Sequence, residues 1–169
     1  IAAAAPTAVP PEQGAVWAYP QPEHDDDLIA WTLGGALLGR IHLSGHLNHM
    51  SDHQRALVRA AVDVYKSIRG DLARALPFWP LGLPGWTDEW LALGLRTPGD
   101  GTTYLSLWRR GGPDELRIPV PHLAGRAVRA EVLHPSSAEA GRAVWGGEEL
   151  TVSVPRTPGM VLIRLGPES

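Results

Sequence analysis

His42, His46, His49 and His53 fall in one short stretch, and imidazoles so close together invite a zinc reading. The spacing argues against it. His49 and His53 are four apart, but Ser51 between them is a helix N-cap, so they do not share a helical face as a zincin pair does. Loop, cap and substrate-contact roles are expected instead, and no metal is assigned. Asp25, Asp26 and Asp27 precede an apolar helical pattern; carboxylates there suit a helix dipole, so Asp25 or Asp26 is read as a cap rather than as a cation ligand. The chain has 7 tryptophans, and an aromatic face can stack on a sugar ring as well as fill a core. Trp31, Trp90 and Trp108 sit in periodic elements and are assigned to the core. Trp17, Trp79 and Trp86 lie in loops or at junctions, and Trp17 with Tyr19 is the strongest ligand-contact candidate among them. The sequence has no nucleophile elbow, phosphate loop or dinucleotide fingerprint, and 0 cysteines. Thiolate chemistry is excluded and no cofactor is expected.

The elements that must position these residues are clearest over 39–69. Arg40, Ile41, His42 and Leu43 form a short aliphatic run closed by Ser44 and Gly45, as a buried strand entering a loop. Ser51 followed by Gln54 is a capping box, with Asp52 in the first turn. Leu57, Val58, Ala61, Val62, Tyr65, Ile68 and Leu72 then recur at helical spacing, with the stop either at Gly70 or a turn or two beyond it, carried by Leu72 and Leu76. Upstream, Ala15 to Tyr19 reads as a buried strand stiffened at its exit by Pro20 and Pro22, and Leu28, Ile29, Trp31, Leu33, Leu37 and Leu38 read as a helix. Gly34 and Gly35 within it are read as close helix packing. Strand, helix, strand, helix is the order of a parallel sheet with crossover helices, doubly wound or barrel.

After Leu76 proline and glycine alternate with large aromatics, and no regular element is expected before residue 90. From there the chain reads as strands at 90–95, 104–109, 116–120, 128–133, 150–154 and 161–165, separated by turn chemistry such as Thr97-Pro98-Gly99-Asp100-Gly101. Alternation such as Leu150, Val152, Val154 is that of half-buried antiparallel strands in a small β-sandwich.

The formal net charge is -3 with both signs interspersed, so neither nucleic acid nor an anionic membrane surface is an expected partner. No apolar run is long enough to span a bilayer, and Ile1 to Ala5 lacks the basic start and long apolar core of a signal peptide. A cytoplasmic location is expected, with secretion left open, as is the oligomeric state. The chain begins without Met, as though cut from something larger.

Five fragments in order, Trp17-Ala18-Tyr19-Pro20-Gln21-Pro22, then Leu37-Leu38-Gly39-Arg40-Ile41-His42-Leu43-Ser44-Gly45, Tyr65-Lys66 with Arg69, Trp79-Pro80-Leu81-Gly82 with Trp86, and Trp108-Arg109-Arg110, together resemble the C-terminal part of the melibiase-type α-galactosidases (glycoside hydrolase family 36, clan D). The resemblance implies an α/β + β chain: the last strands and helices of a TIM (β/α)8 barrel over 1–76, a Pro/Gly/Trp linker over 77–89, and an antiparallel β-sandwich over 90–169. It implies a retaining hydrolase of terminal α-galactosides as the parent. That family carries its two catalytic aspartates in a Lys-Trp-Asp segment and a Trp-Thr-Ser-Asp-like segment on earlier strands, and neither motif occurs here. No catalytic residue is therefore assigned, and the chain alone is expected to be inactive. Barrel sites lie at the carboxyl ends of the strands, which makes Trp17, Tyr19, Ser44 and His46 the expected substrate contacts. Two alternatives stay open: a non-catalytic carbohydrate-binding or interface module, and a hydrolase of another α-glycoside such as an α-N-acetylgalactosaminide.

Overall fold

The computed structural model describes residues 1–99, 101–137 and 139–167; Asp100 of the expected turn and residues 168–169 of the expected β segment lie outside them. After a 3-10 turn at Ala2–Thr7 come β1 (Ala15–Ala18), α1 (Asp26–Gly34), β2 (Arg40–Leu43), a 3-10 turn at Leu47–His49, and α2 (Asp52–Leu72). Eight strands follow: β3 (Leu76–Phe78), β4 (Trp90–Arg96), β5 (Thr103–Arg109), β6 (Glu115–Pro119), β7 (Val128–His134), β8 (Arg142–Trp145), β9 (Glu149–Ser153) and β10 (Gly159–Pro167). Strands outnumber helices among the described residues. β1 and β2 pair in parallel, a 5-stranded sheet has the order β3-β4-β5-β10-β7, and a 3-stranded sheet has the order β6-β9-β8.

The last two sheets pack face to face as a sandwich. Leu105, Leu107, Val161, Ile163 and Leu165 from the larger sheet are buried with Ile118, Leu150 and Val152 from the smaller. Other positions on the larger sheet, Leu93 and Leu95 of β4, Tyr104 of β5 and Leu162 of β10, point the other way into a second core with Ile29 and Leu33 of α1 and Ile68 and Leu72 of α2. The large sheet is thus buried on both faces, which explains the nearly continuous burial of β5 and β10. The helices are seated directly on the sandwich.

Local chemistry accounts for most boundaries. Asp25 caps α1 through its carboxylate, which accepts from the Leu28 N–H at 2.8 Å. Both halves of the Ser51–Gln54 capping box are present at the start of α2. Gly70 does not end that helix. A mid-helix glycine costs roughly 1 kcal/mol, less than the roughly 1.5–3 kcal/mol from burying a leucine, and Leu72 is buried in the helix core. α1, in contrast, stops at Gly34, and Ala36, Leu37 and Leu38 are buried beyond it rather than inside a longer helix. A Cβ on Gly34 would lie 2.3 Å from Met160 Sδ, so the close packing is of helix on strand, not helix on helix.

No TIM barrel is seen among the described residues: the parallel strands are β1 and β2 alone, and closure takes eight. Three expectations need correction. β1 and β2, expected as buried strands, are only partly buried, because one face of the pair has no element packed on it. Leu76–Phe78 forms a strand where none is expected, because Pro77 sits on an edge strand, where a missing N–H is tolerated. β8 also escapes the sequence reading; four residues of mixed polarity give too short an alternation. No helix among the described residues is long and apolar enough to cross a membrane.

Candidate functional site

β1 and β2 run side by side with Trp17 opposite His42 and Ala18 opposite Leu43. Strand alternation divides their side chains between two faces. Val16, Ala18 and Ile41 lie in the core shared with the helices. Trp17, Tyr19 and His42 gather on the opposite face: the Trp17 and Tyr19 rings stack with centroids 6.2 Å apart and planes 13° apart, and His42 lies 5.2 Å from Trp17 at 39°. Trp17 is 56% exposed and Tyr19 49%. A stacked, solvent-facing aromatic pair presents a flat apolar surface with a phenol hydroxyl at its rim, which suits the C–H face and hydroxyls of a sugar.

The two loops beyond the strands are held together at the backbone. The Ser44 N–H donates to the Ala18 carbonyl at 2.9 Å, extending the ladder past the strand ends. A Cβ on Gly45 would lie 1.8 Å from the Pro20 carbonyl oxygen, so only glycine lets the two loops meet. Ser44 and His46 are exposed on this rim, and the His46 ring meets His49 edge-on at 6.1 Å. Of the four sequence-derived contacts, Trp17 and Tyr19 touch each other, Ser44 is tied to the end of β1, and His46 occupies the same loop. His42 stands in the sequence only as one of four clustered histidines; what joins it to the aromatic pair is the strand register that sets it opposite Trp17.

The acidic run lies elsewhere, on a second cleft of about 570 Å³ between the helices and the loops after β7 and β9. Each aspartate there has a structural partner. Asp25 is the cap, Asp26 accepts from His53 Nε2 at 2.8 Å, and Asp27 lies 3.6 Å from Arg156. On the wall of the cleft His134 donates from Nε2 to the Ala30 carbonyl at 2.9 Å. Burial pushes the His134 imidazole below its ordinary pKa, with the Ala30 carbonyl opposing. His122 is lowered as well, by burial and then by the nearby Arg96 and Arg126. Among the described residues no group of three or more His, Cys, Asp or Glu is placed to hold a metal ion.

No family model and no curated protein matches the sequence. Solved structures match the fold. The galactosidase domain of the α-galactosidase–sucrose kinase AgaSK aligns with a TM-score of 0.61 and 12% identity over 90% of this chain and 21% of that one. A variant of the GH36 α-galactosidase AgaA from Geobacillus stearothermophilus, in complex with raffinose, aligns with a TM-score of 0.65 and 12% identity over 91% of this chain and 21% of that one. The chain therefore spans about a fifth of the length of each. Its likeness to GH36 α-galactosidases, read first from short motifs, holds at the level of the fold.

Proposed function

We propose that the chain is the C-terminal part of a retaining glycoside hydrolase of terminal α-galactosides. In this reading residues 1–76 supply the last strands and helices of its barrel, 77–89 the linker and 90–169 the sandwich. The catalytic carboxylates lie outside these residues. Retaining hydrolysis needs two carboxyl groups about 5–5.5 Å apart around the anomeric carbon, and the Asp25 to Asp27 run is already engaged as a cap and in ion pairs.

The observation that carries the reading is the open aromatic face of a two-stranded parallel sheet. Parallel strands are ordinarily covered on both sides. Here the helices cover one side, through Val16, Ala18 and Ile41, while Trp17, Tyr19 and His42 stand on the other. In a closed barrel the helix-free side is the interior, and the loops carrying Ser44 and His46 follow at the carboxyl rim where barrel enzymes bind substrate. Two solved structures of similar fold are of α-galactosidases, one of them holding raffinose. Together these favour a galactoside as the ligand of this face.

The test uses the longer protein that carries this chain. His46→Ala and Tyr19→Phe should each leave the melting temperature nearly unchanged and lower kcat/KM for an α-galactoside at least about fivefold, on the order of 1 kcal/mol of transition-state binding. Early melting of both variants, or full efficiency in both, would remove these residues from the site.

A further inference from the structure

One side chain joins the two loops of the aromatic face, and its atoms are all committed. The Oε1 of Gln54 accepts from the Ser51 N–H at 3.0 Å, completing the cap of α2. Its Nε2 donates to the Pro22 carbonyl at 2.9 Å and to the His24 carbonyl at 3.0 Å. An amide has one carbonyl oxygen and two N–H donors. Only one orientation of the Gln54 amide satisfies an N–H on one side and two carbonyls on the other. The segment it grips is a turn closed by its own bonds: the His24 N–H donates to the Gln21 carbonyl at 3.1 Å, and the Gln21 N–H to His24 Nδ1 at 3.3 Å. That turn directly follows Tyr19 and Pro20 in the sequence, and Pro20 abuts Gly45.

We infer that Gln54 is a positioning residue that locks the turn after Tyr19 onto the start of α2, and so fixes the aromatic face against the Ser44–His46 rim. The inference rests on the reading of that face as the galactoside-contacting surface. The two roles of Gln54 are chemically separable. A glutamate keeps an acceptor for the Ser51 N–H, and its charge is favoured near a helix N-terminus. It has no donor for Pro22 and His24, and sets carboxylate oxygen against two carbonyl oxygens. Gln54→Glu therefore keeps the cap and releases the turn, whereas Gln54→Ala loses both.

The longer protein carrying Gln54→Glu should melt within about 2 °C of the parent. Amide exchange at Gln21 and His24 should accelerate about tenfold or more while Ser51 stays protected, since local opening is read directly by exchange. KM for an α-galactoside should rise, with kcat changing less. In Gln54→Ala, Ser51 should exchange faster too. Unchanged exchange at Gln21 and His24 in Gln54→Glu would overturn the inference. So would faster exchange with an unchanged KM in a protein whose KM does respond to Tyr19→Phe. If the parent turns over no α-galactoside, the reading of the face fails by itself, and the exchange at Gln21 and His24 decides the lock alone.

Discussion

Trp17 is the residue on which the structure and the proposed parent make opposite demands. Truncating a surface side chain usually changes stability by about 0.5 kcal/mol or less, whereas truncating a buried tryptophan costs roughly 3–5 kcal/mol. In the chain by itself Trp17 is more than half exposed, so Trp17→Ala should barely move its denaturation midpoint. In the longer protein, with the face enclosed by further strands, the same change should cost several kcal/mol. Equal small losses in both would mean that the face stays open. Residue type flags Trp17 and Tyr19, as aromatics at the exit of a short strand that Pro20 and Pro22 stiffen. It does not flag Gln54 as more than a cap. The Ser51–Gln54 box is local and readable, whereas Pro22 and His24 are 32 and 30 residues away and no spacing rule connects them.

His134 makes a second residue-scale prediction. Its folded pKa is lowered by burial, so near and below the ordinary histidine value of about 6.5 the unfolded chain binds a proton that the folded chain resists. The unfolded state then holds more protons, and stability falls as pH drops through that value, until the lowered folded pKa is passed. His122, lowered for related reasons, acts in the same direction. His134→Gln retains a neutral N–H donor for the Ala30 carbonyl. Urea unfolding between about pH 7 and pH 5 should show a shallower decline for this variant than for the parent chain. An identical slope would mean that His134 does not contribute to it.

At the scale of elements, two glycines distinguish a close approach to backbone from one to a side chain. At Gly45 an added methyl meets the Pro20 carbonyl, which cannot move without dragging the loop; at Gly34 it meets the thioether end of Met160, which has rotamers to spare. Gly45→Ala should therefore cost about 1–3 kcal/mol and Gly34→Ala less, as read by chemical denaturation. The reverse order would place the tighter constraint at the helix. Periodicity recovers the elements that obey one local rule: α2 from its capping box and apolar stripe, and six of the sandwich strands from alternation and turns. It leaves the end of α2 open between Gly70 and Leu76, which tertiary burial decides because Leu72 has a core to enter, and it fails at Leu37 and Leu38, which look helical yet are buried after α1 has ended.

For the whole molecule, the layered arrangement of helices, five-stranded sheet and three-stranded sheet covers both faces of the central strands of the five-stranded sheet, whereas the three-stranded sheet and the β1–β2 pair are each covered on one face. The α/β-then-β order is legible in the sequence as a change of texture near Pro77. The seating of α1 and α2 on the large sheet is not, because Met160 and Gly34 meet across more than a hundred residues. The central claim, that this is the C-terminal part of a retaining α-galactoside hydrolase whose acid and nucleophile lie elsewhere, is most directly tested by proton NMR of the sugar released from an α-galactoside. The longer protein should release galactose first as the α-anomer, and the 169-residue chain should release none. Hydrolysis by the chain itself that follows it through purification, or a longer protein inert towards α-galactosides or releasing β-galactose first, would contradict the account.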